Sequence, residues 1–112
     1  MLPSHYLTIL SGFLSVDTNG LTGYIPSEVG YLTALSYLAL SSNPNLSGEV
    51  PTELGLLTGV KQMKFSSTSV TGTMPSEICA LRSEVLMVLA ADCFGSAPQI
   101  YCDPQLCCTV CS

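Results

Sequence analysis

The amino-acid sequence repeats with a period of 24 or 25 residues, and this period constrains the fold more than any other feature. Pro26, Pro51 and Pro75 show the two spacings, first 25 and then 24. Three other columns share them: Gly23, Gly48 and Gly72; Glu28, Glu53 and Glu77; Leu32, Leu57 and Leu81. A period of about 20–50 residues is typical of solenoids, propellers and other arrays, whose stacked units bury apolar sides that no unit buries alone.

Each repeat begins with a predicted short strand. The apolar positions that alternate with polar ones are Leu14 and Val16, Leu38 and Leu40, and Met63 and Phe65. This period of two indicates a strand with one buried face. Because the strands recur once per repeat, we expect them to lie side by side in one parallel sheet, about 4.8 Å apart.

A ladder of turn residues, Asn19, Asn43 and Thr68, follows the strands. Side chains of this kind form hydrogen bonds with the backbone of a tight turn, whose amides and carbonyls would otherwise lack partners. Threonine offers fewer such bonds than asparagine, so the turn at Thr68 is expected to be the looser one. The middle repeat carries one extra residue around Pro44, which explains its spacing of 25.

A short helical segment closes each repeat, in "SEVGYL", "TELGLL" and "SEICAL". Ser27, Thr52 and Ser76 are predicted N-caps, and the glutamate that follows each of them meets the positive end of the helix dipole. Gly30 and Gly55 are expected to end the first two segments, a common role of glycine. The third segment has Cys79 at the same position. We interpret this cysteine as the mark of the last repeat.

Charge and hydropathy exclude several classes of protein. The net charge is −5, and Lys61, Lys64 and Arg82 are the only lysines and arginines. Because nucleic-acid binding needs clustered cations, a nucleic-acid partner is excluded. No apolar run reaches the roughly 18 residues that a membrane span requires. The segment "MLPSHYLTILSGFLSV" is interpreted as a damaged first repeat, with a signal peptide as the alternative, since it lacks a cationic start.

The chain has six cysteines, all near its C-terminal end: Cys79, Cys93, Cys102, Cys107, Cys108 and Cys111. An even number in one region predicts a disulfide framework, and hence an oxidising, secretory compartment. Six cysteines allow fifteen pairings, so the connectivity stays open; a bond between Cys79 and Cys93 would tie the last helical segment to the end of the last strand. A zinc site of Cys102, Cys107, Cys108 and Cys111 is the alternative, although adjacent cysteines fit the usual CxxC spacing poorly.

The repeats resemble the plant-type leucine-rich repeat, whose pattern is LxxLxLxxNxLxGxIPxxLGxLxx. The matching stretches are "LSVDTNGLTGYIPSEVGYLTA", "LSYLALSSNPNLSGEVPTELGLLTG" and "VKQMKFSSTSVTGTMPSEICALRS". The resemblance implies an α/β fold, a right-handed βα solenoid of about four coils. In it a short parallel sheet lines the concave face, and 3₁₀ or short helical turns line the convex face. It also implies recognition of a partner without a cofactor, as in the ectodomains of receptor-like kinases and receptor-like proteins and in polygalacturonase inhibitors.

Three regions follow from this resemblance. Residues 1–13 are expected to be a degenerate or truncated first repeat, residues 14–92 the solenoid, and residues 93–112 a cysteine-rich C-terminal cap similar to that of diatom and algal repeat proteins. The family's cysteine-bearing N-terminal cap has no counterpart in the sequence. We therefore expect the C-terminal part of a longer solenoid or a shortened relative. No kinase motif occurs, so a kinase domain would lie outside this chain.

The concave face is the predicted binding surface for a protein, peptide or glycan, in an extracellular or cell-surface setting. Its outward residues are predicted to be Ser15, Asp17, Tyr37, Ala39, Ser41, Gln62, Lys64 and Ser66. In the last coil, outward Val88, Ala90 and Asp92 are favoured over Met87, Leu89 and Ala91. Tyr37 is the one large aromatic near the centre of the predicted face, and tyrosine is a common interface anchor; ordinary solvent exposure is the alternative. A cell-wall-binding or ice-binding surface is the second functional hypothesis.

Three further candidates have simpler interpretations. Glu28, Glu53 and Glu77 form a ladder on the helical side, whereas a glycosidase needs two carboxylates across one cleft. His5 has no partners that suggest a catalytic triad. The sequence therefore predicts no enzyme activity and no catalytic or metal-binding residue. Asn45 begins the sequon Asn45-Leu46-Ser47 and is a candidate for N-glycosylation.

Overall fold

Two parallel sheets and a few short helical segments make up the computed structural model, which describes residues 12–15, 20–102 and 107–112. The five-stranded sheet has the order β1 (Phe13–Ser15), β3 (Tyr37–Ala39), β5 (Gln62–Lys64), β7 (Val88–Ala91) and β9 (Val110–Cys111). The four-stranded sheet has the order β2 (Thr22–Tyr24), β4 (Asn43–Glu49), β6 (Thr68–Thr73) and β8 (Ile100–Tyr101). The predicted α/β class and the parallel strand pairing are confirmed.

In the five-stranded sheet, equivalent residues of successive repeats lie opposite one another. Leu14 lies opposite Leu38, Leu38 opposite Met63, and Met63 opposite Leu89. All four side chains are buried, as their alternation with polar residues predicts. The favoured register of the last repeat is also confirmed, because Val88 pairs with Gln62 and not with Met63.

The four-stranded sheet was not predicted, and it begins where each turn ends. Strands β4, β6 and β8 bury Leu46, Val70 and Ile100, and Leu21 is buried just before β2, whose three residues are exposed. The register between β4 and β6 shifts after Asn43, so that Ser47 lies opposite Ser69. The extra residue of the middle repeat lies in this stretch. Ser69 Oγ also donates a hydrogen bond to the Pro44 carbonyl there.

The helical segments lie where the sequence predicts them. Two are 3₁₀ helices, Ser27–Tyr31 and Thr52–Leu56, and the third is the α-helix α1 (Ser76–Cys79), continued by a 3₁₀ turn at Ala80–Ser83. The N-cap prediction is wrong. Prolines occupy the cap positions, and no side chain bonds to the first amides.

The serine or threonine after each capping proline has a different role from the predicted one. It is the first helical residue, and its hydroxyl donates to the carboxylate of the glutamate that follows it, at 3.3 Å in all three copies. Proline in the extended region already sets the direction in which the chain enters each helix. Each helical segment therefore begins without a side-chain cap.

Gly30 and Gly55 also have a role other than the predicted one. Neither adopts a positive φ, and both lie inside their 3₁₀ helices. A Cβ on Gly30 would lie 2.2 Å from the Glu53 carbonyl oxygen, and one on Gly55 would lie 2.6 Å from Glu77 Cβ. Glycine at this position lets the next helical segment approach closely.

The core fills the space between the two sheets and the helical segments. Its side chains come from all three sides in each repeat, for example Leu38, Leu46 and Leu54 from the second repeat, all completely buried. The third repeat contributes Met63, Val70 and Ile78 in the same way. Each fully buried leucine contributes about 2 kcal/mol. The stability of one repeat therefore depends on its neighbours, which cover its open sides.

Candidate functional site

The outer face of the five-stranded sheet, opposite the core, carries most of the predicted binding residues. Its first row runs across four strands as Phe13, Tyr37, Gln62 and Val88, and its second as Ser15, Ala39, Lys64, Ala90 and Val110. Ser15 is exposed, and Ser41, Gln62, Lys64 and Ser66 are half-buried. Asp17 lies outside the described residues. The structure thus brings the predicted residues that it describes onto one surface.

Ala39 is the exception, because it is completely buried and offers no surface to a partner. Lys64 lies directly opposite it in the register. The lysine side chain extends back toward Tyr37, so its aliphatic stem passes over the small alanine. Ala39 therefore supports the face by letting Lys64 lie flat across it.

Tyr37 is held between residues of the two neighbouring strands. On one side the Phe13 ring stacks against it, with the ring centroids 5.2 Å apart and the planes 25° from parallel. On the other side the Lys64 ammonium lies 5.3 Å from the Tyr37 ring centroid, a cation–π contact. The Tyr37 ring thus contacts one residue from each neighbouring strand.

Three polar groups beside this aromatic pair have unused hydrogen-bonding capacity. Among the described residues, neither the Tyr37 hydroxyl nor the Gln62 amide has a hydrogen-bond partner. The Lys64 ammonium forms no ion pair with any described carboxylate. We call Phe13, Tyr37, Gln62 and Lys64 the Tyr37 cluster. Its half-buried polar groups can bind a polar ligand with little reorganisation.

Phe13 belongs to this cluster although the sequence reasoning missed it. The signal was available, since Phe13 precedes Tyr37 by one period of 24 residues. The predicted boundary before Leu14 had placed Phe13 in the degenerate segment. More than half of its side chain is exposed, 54%, which is high for a phenylalanine on a sheet.

The turn ladder stabilises the strand ends. Asn43 is completely buried; its amide nitrogen donates to the Leu40 and Ser41 carbonyls, and its side-chain oxygen accepts from the Leu21 amide of the preceding repeat. Thr68 makes two such bonds, to the Phe65 carbonyl and from the Val70 amide. Asn19 lies outside the described residues.

Two residues of the last repeat and the cap supplement the Thr68 turn. The Asp92 carboxylate accepts the Ser67 and Thr68 amides, and the Gln99 side-chain nitrogen donates to the Thr68 and Val70 carbonyls at 2.7 Å each. Nothing in the sequence period points to Gln99, since the cap does not repeat. The turn that was expected to be loose is thus held from the next repeat.

All six cysteines form disulfides: Cys79–Cys107, Cys93–Cys111 and Cys102–Cys108. The suggested Cys79–Cys93 pairing is wrong. Cys79 instead bonds to buried Cys107, which returns from the far end of the tail to cover the last helical segment. The three disulfides indicate an oxidising, extracellular-type environment.

The sulfurs of Cys93, Cys102 and Cys108 lie within 4.8 Å of one another, as metal ligands would. Each is already bonded to another sulfur, so none is a thiolate, the form that binds zinc. Beside them an open cleft of about 470 Å³ is lined by exposed Phe94 and Tyr101.

The remaining candidates lie away from the Tyr37 cluster. Asn45 is exposed on β4, in the four-stranded sheet, and Leu46 of its sequon is buried. Glu28, Glu53 and Glu77 lie one per helical segment. His5 lies outside the described residues. No helix in the described part of the chain has the length and apolar character needed to cross a membrane.

Comparison with known proteins adds no relative. No protein-family model matches the chain, and a search of the curated proteins finds no significant match. The functional argument therefore depends on the fold and the Tyr37 cluster alone.

Proposed function

We propose that this chain is a segment of a leucine-rich-repeat solenoid and acts as a non-enzymatic recognition module. It would bind a protein, peptide or glycan through the outer face of the five-stranded sheet, as part of a secreted or receptor-like protein. One strand per repeat in each of two parallel sheets and one helical segment per repeat support the architecture. The three disulfides support the extracellular setting.

The observation that carries the binding function is the Tyr37 cluster. Its aromatic rings and ammonium are fixed by contacts across three strands, while its polar groups have no partners among the described residues. Interface energy concentrates in a few such residues, tyrosine above all, when they are held in place before binding.

Selection of binders from a displayed random-peptide library, followed by a glycan array, tests the proposal. Binders that use this face should lose affinity about tenfold or more with Tyr37→Ala, since a hot-spot residue is removed. Tyr31→Ala is the control, because it removes the same side chain from a helical segment, where Tyr31 is 63% exposed. Binders that respond equally to both substitutions would contradict the assignment of the face.

A cell-wall-binding or ice-binding surface is the alternative function. Such surfaces present the same chemistry at each repeat, whereas the first row of this face changes from phenylalanine to tyrosine, glutamine and valine. The irregular row favours recognition of one defined ligand. An ice-shaping assay distinguishes the two, with ordinary disc-shaped crystals expected.

A further inference from the structure

We propose that the ligand of the Tyr37 cluster is a peptide that carries a carboxylate, bound by the Lys64 ammonium and the Tyr37 hydroxyl. This inference rests on the proposed recognition function and adds the chemistry of the ligand. It is carried by the Lys64 ammonium, which contacts the Tyr37 ring and has no ion-pair partner among the described residues.

The first step is the state of Lys64. Its ammonium is fixed over the Tyr37 ring, and the lysine is half-buried. Asp92 follows β7, and its carboxylate accepts the Ser67 and Thr68 amides. No described carboxylate forms an ion pair with the Lys64 ammonium, and a ligand carboxylate would supply that counter-charge.

The second step is the geometry around the ammonium. Tyr37 and Gln62 lie opposite each other in the register, and Lys64 is two residues beyond Gln62 on the same face. A carboxylate beside the ammonium can also accept from the Tyr37 hydroxyl and the Gln62 amide nitrogen. Hydrogen bonds with a charged partner are stronger than neutral ones, and partial burial reduces their screening.

The third step favours a peptide over a glycan. A sugar stacks its C–H groups on an open aromatic face, whereas the Tyr37 ring already contacts the Phe13 ring and the Lys64 ammonium. The exposed apolar surface of this sheet face comes from Phe13, a member of the cluster, and from Val110 on β9. Its mixture of apolar side chains and one cation suits an acidic residue flanked by apolar ones.

The net charge of the chain means that the attraction between Lys64 and a ligand carboxylate acts only at short range. With a net charge of −5, the chain repels an anionic peptide at long range. Association would therefore gain nothing from steering, and the carboxylate would act after contact, by slowing dissociation.

The test is a selection from a displayed library of random heptapeptides. We expect Asp or Glu to be enriched in the binders and the amide analogues of those binders to bind about 10- to 100-fold more weakly. Lys64→Met keeps an unbranched stem over Ala39 but removes the charge, and it should cause a similar loss. Lys61→Met, at an exposed lysine with no ring contact, should leave affinity within about twofold.

The outcomes separate the two proposals. Neutral binders that need Tyr37 but are indifferent to Lys64→Met would overturn the carboxylate inference and leave the recognition face in place. An acidic glycan that binds through Lys64, with no peptide doing so, would also overturn it. Peptides that bind independently of Tyr37, or an absence of binders, would overturn both.

Discussion

At the scale of single residues, one column of the repeat, Gly30, Gly55 and Cys79, shows how the helical segments stack and where the cap is attached. Gly30 and Gly55 lie where the next helical segment comes within contact distance, at Glu53 and Glu77. Cys79 occupies the same column in the third segment, where a cysteine replaces the glycine. Its sulfur bonds to the buried Cys107 of the cap.

Gly55→Ala should therefore destabilise the chain. Its Cβ would lie 2.6 Å from Glu77 Cβ and 3.0 Å from the Glu77 carbonyl oxygen, so one helical segment must move away from the other. We expect a loss of about 1–3 kcal/mol, the usual cost of overpacking, measured by urea unfolding. Gly59→Ala is the control, because the nearest atom to its Cβ would be 3.8 Å away. That variant should be unchanged or up to about 1 kcal/mol more stable. An equal loss in both variants would contradict the stacking role of Gly55.

The sequence predicted the buried and outward positions well where the period applies. Alternation placed Leu38, Leu40, Met63 and Phe65 in the core, and all four are fully buried. It misjudged Ala39, since alternation describes direction and not how far a neighbouring lysine reaches. It also predicted that Gly30 and Gly55 end their helical segments. That prediction failed because one sequence alone does not reveal how closely two segments pack.

At the scale of elements, the strand β6 depends on the cap. The Gln99 amide nitrogen donates to the Thr68 and Val70 carbonyls, and Met74 donates its amide to the Tyr101 carbonyl. The cap thus continues the four-stranded sheet beyond the last repeat. The sequence did not predict the path of residues 93–112, since they have no period from which to derive a register.

Gln99→Glu should loosen this junction. A carboxylate has no proton to donate to the two carbonyls at neutral pH, so both hydrogen bonds are lost and like partial charges face each other. We expect the amides of residues 68–74 to exchange hydrogen at least about fivefold faster, as measured by mass spectrometry. Gln62→Glu is the control, because the Gln62 amide has no partner among the described residues. Slow exchange in both variants would show that Gln99 does not hold the strand.

The disulfides should differ in their contribution to stability. Cys79–Cys107 joins residues 28 apart, and Cys102–Cys108 joins residues 6 apart. The entropy of loop closure gives about 4 kcal/mol for the first and about 2 kcal/mol for the second. Replacing each pair by serine and alanine, and measuring urea unfolding of both variants, tests this order. A larger loss from the shorter loop would mean that the cap, and not the Cys79 tether, dominates.

At the scale of the whole molecule, each of the first three repeats supplies one strand to each parallel sheet and one helical segment, so each repeat contacts mainly its neighbours. Stability in such a chain is approximately a sum over repeats and over the interfaces between them. The two ends differ: the cap covers the last repeat through β8 and β9, while β1 is an edge strand of its sheet in the described part of the chain. The dependence of stability on the number of repeats therefore tests the architecture most directly.

Insertion of a second copy of residues 38–62 after Gln62 should give a more stable protein. The copy supplies one strand to each sheet and one helical segment, and its Glu53 would meet Gly55 as Glu77 now does. We expect the denaturant midpoint and the m-value both to rise, because each added repeat buries more apolar surface. A Gly/Ser segment of the same length at the same site is the control, and it should lower the midpoint. If the duplicated repeat also lowers the midpoint, the repeats do not stack interchangeably, and the solenoid architecture would have to be abandoned.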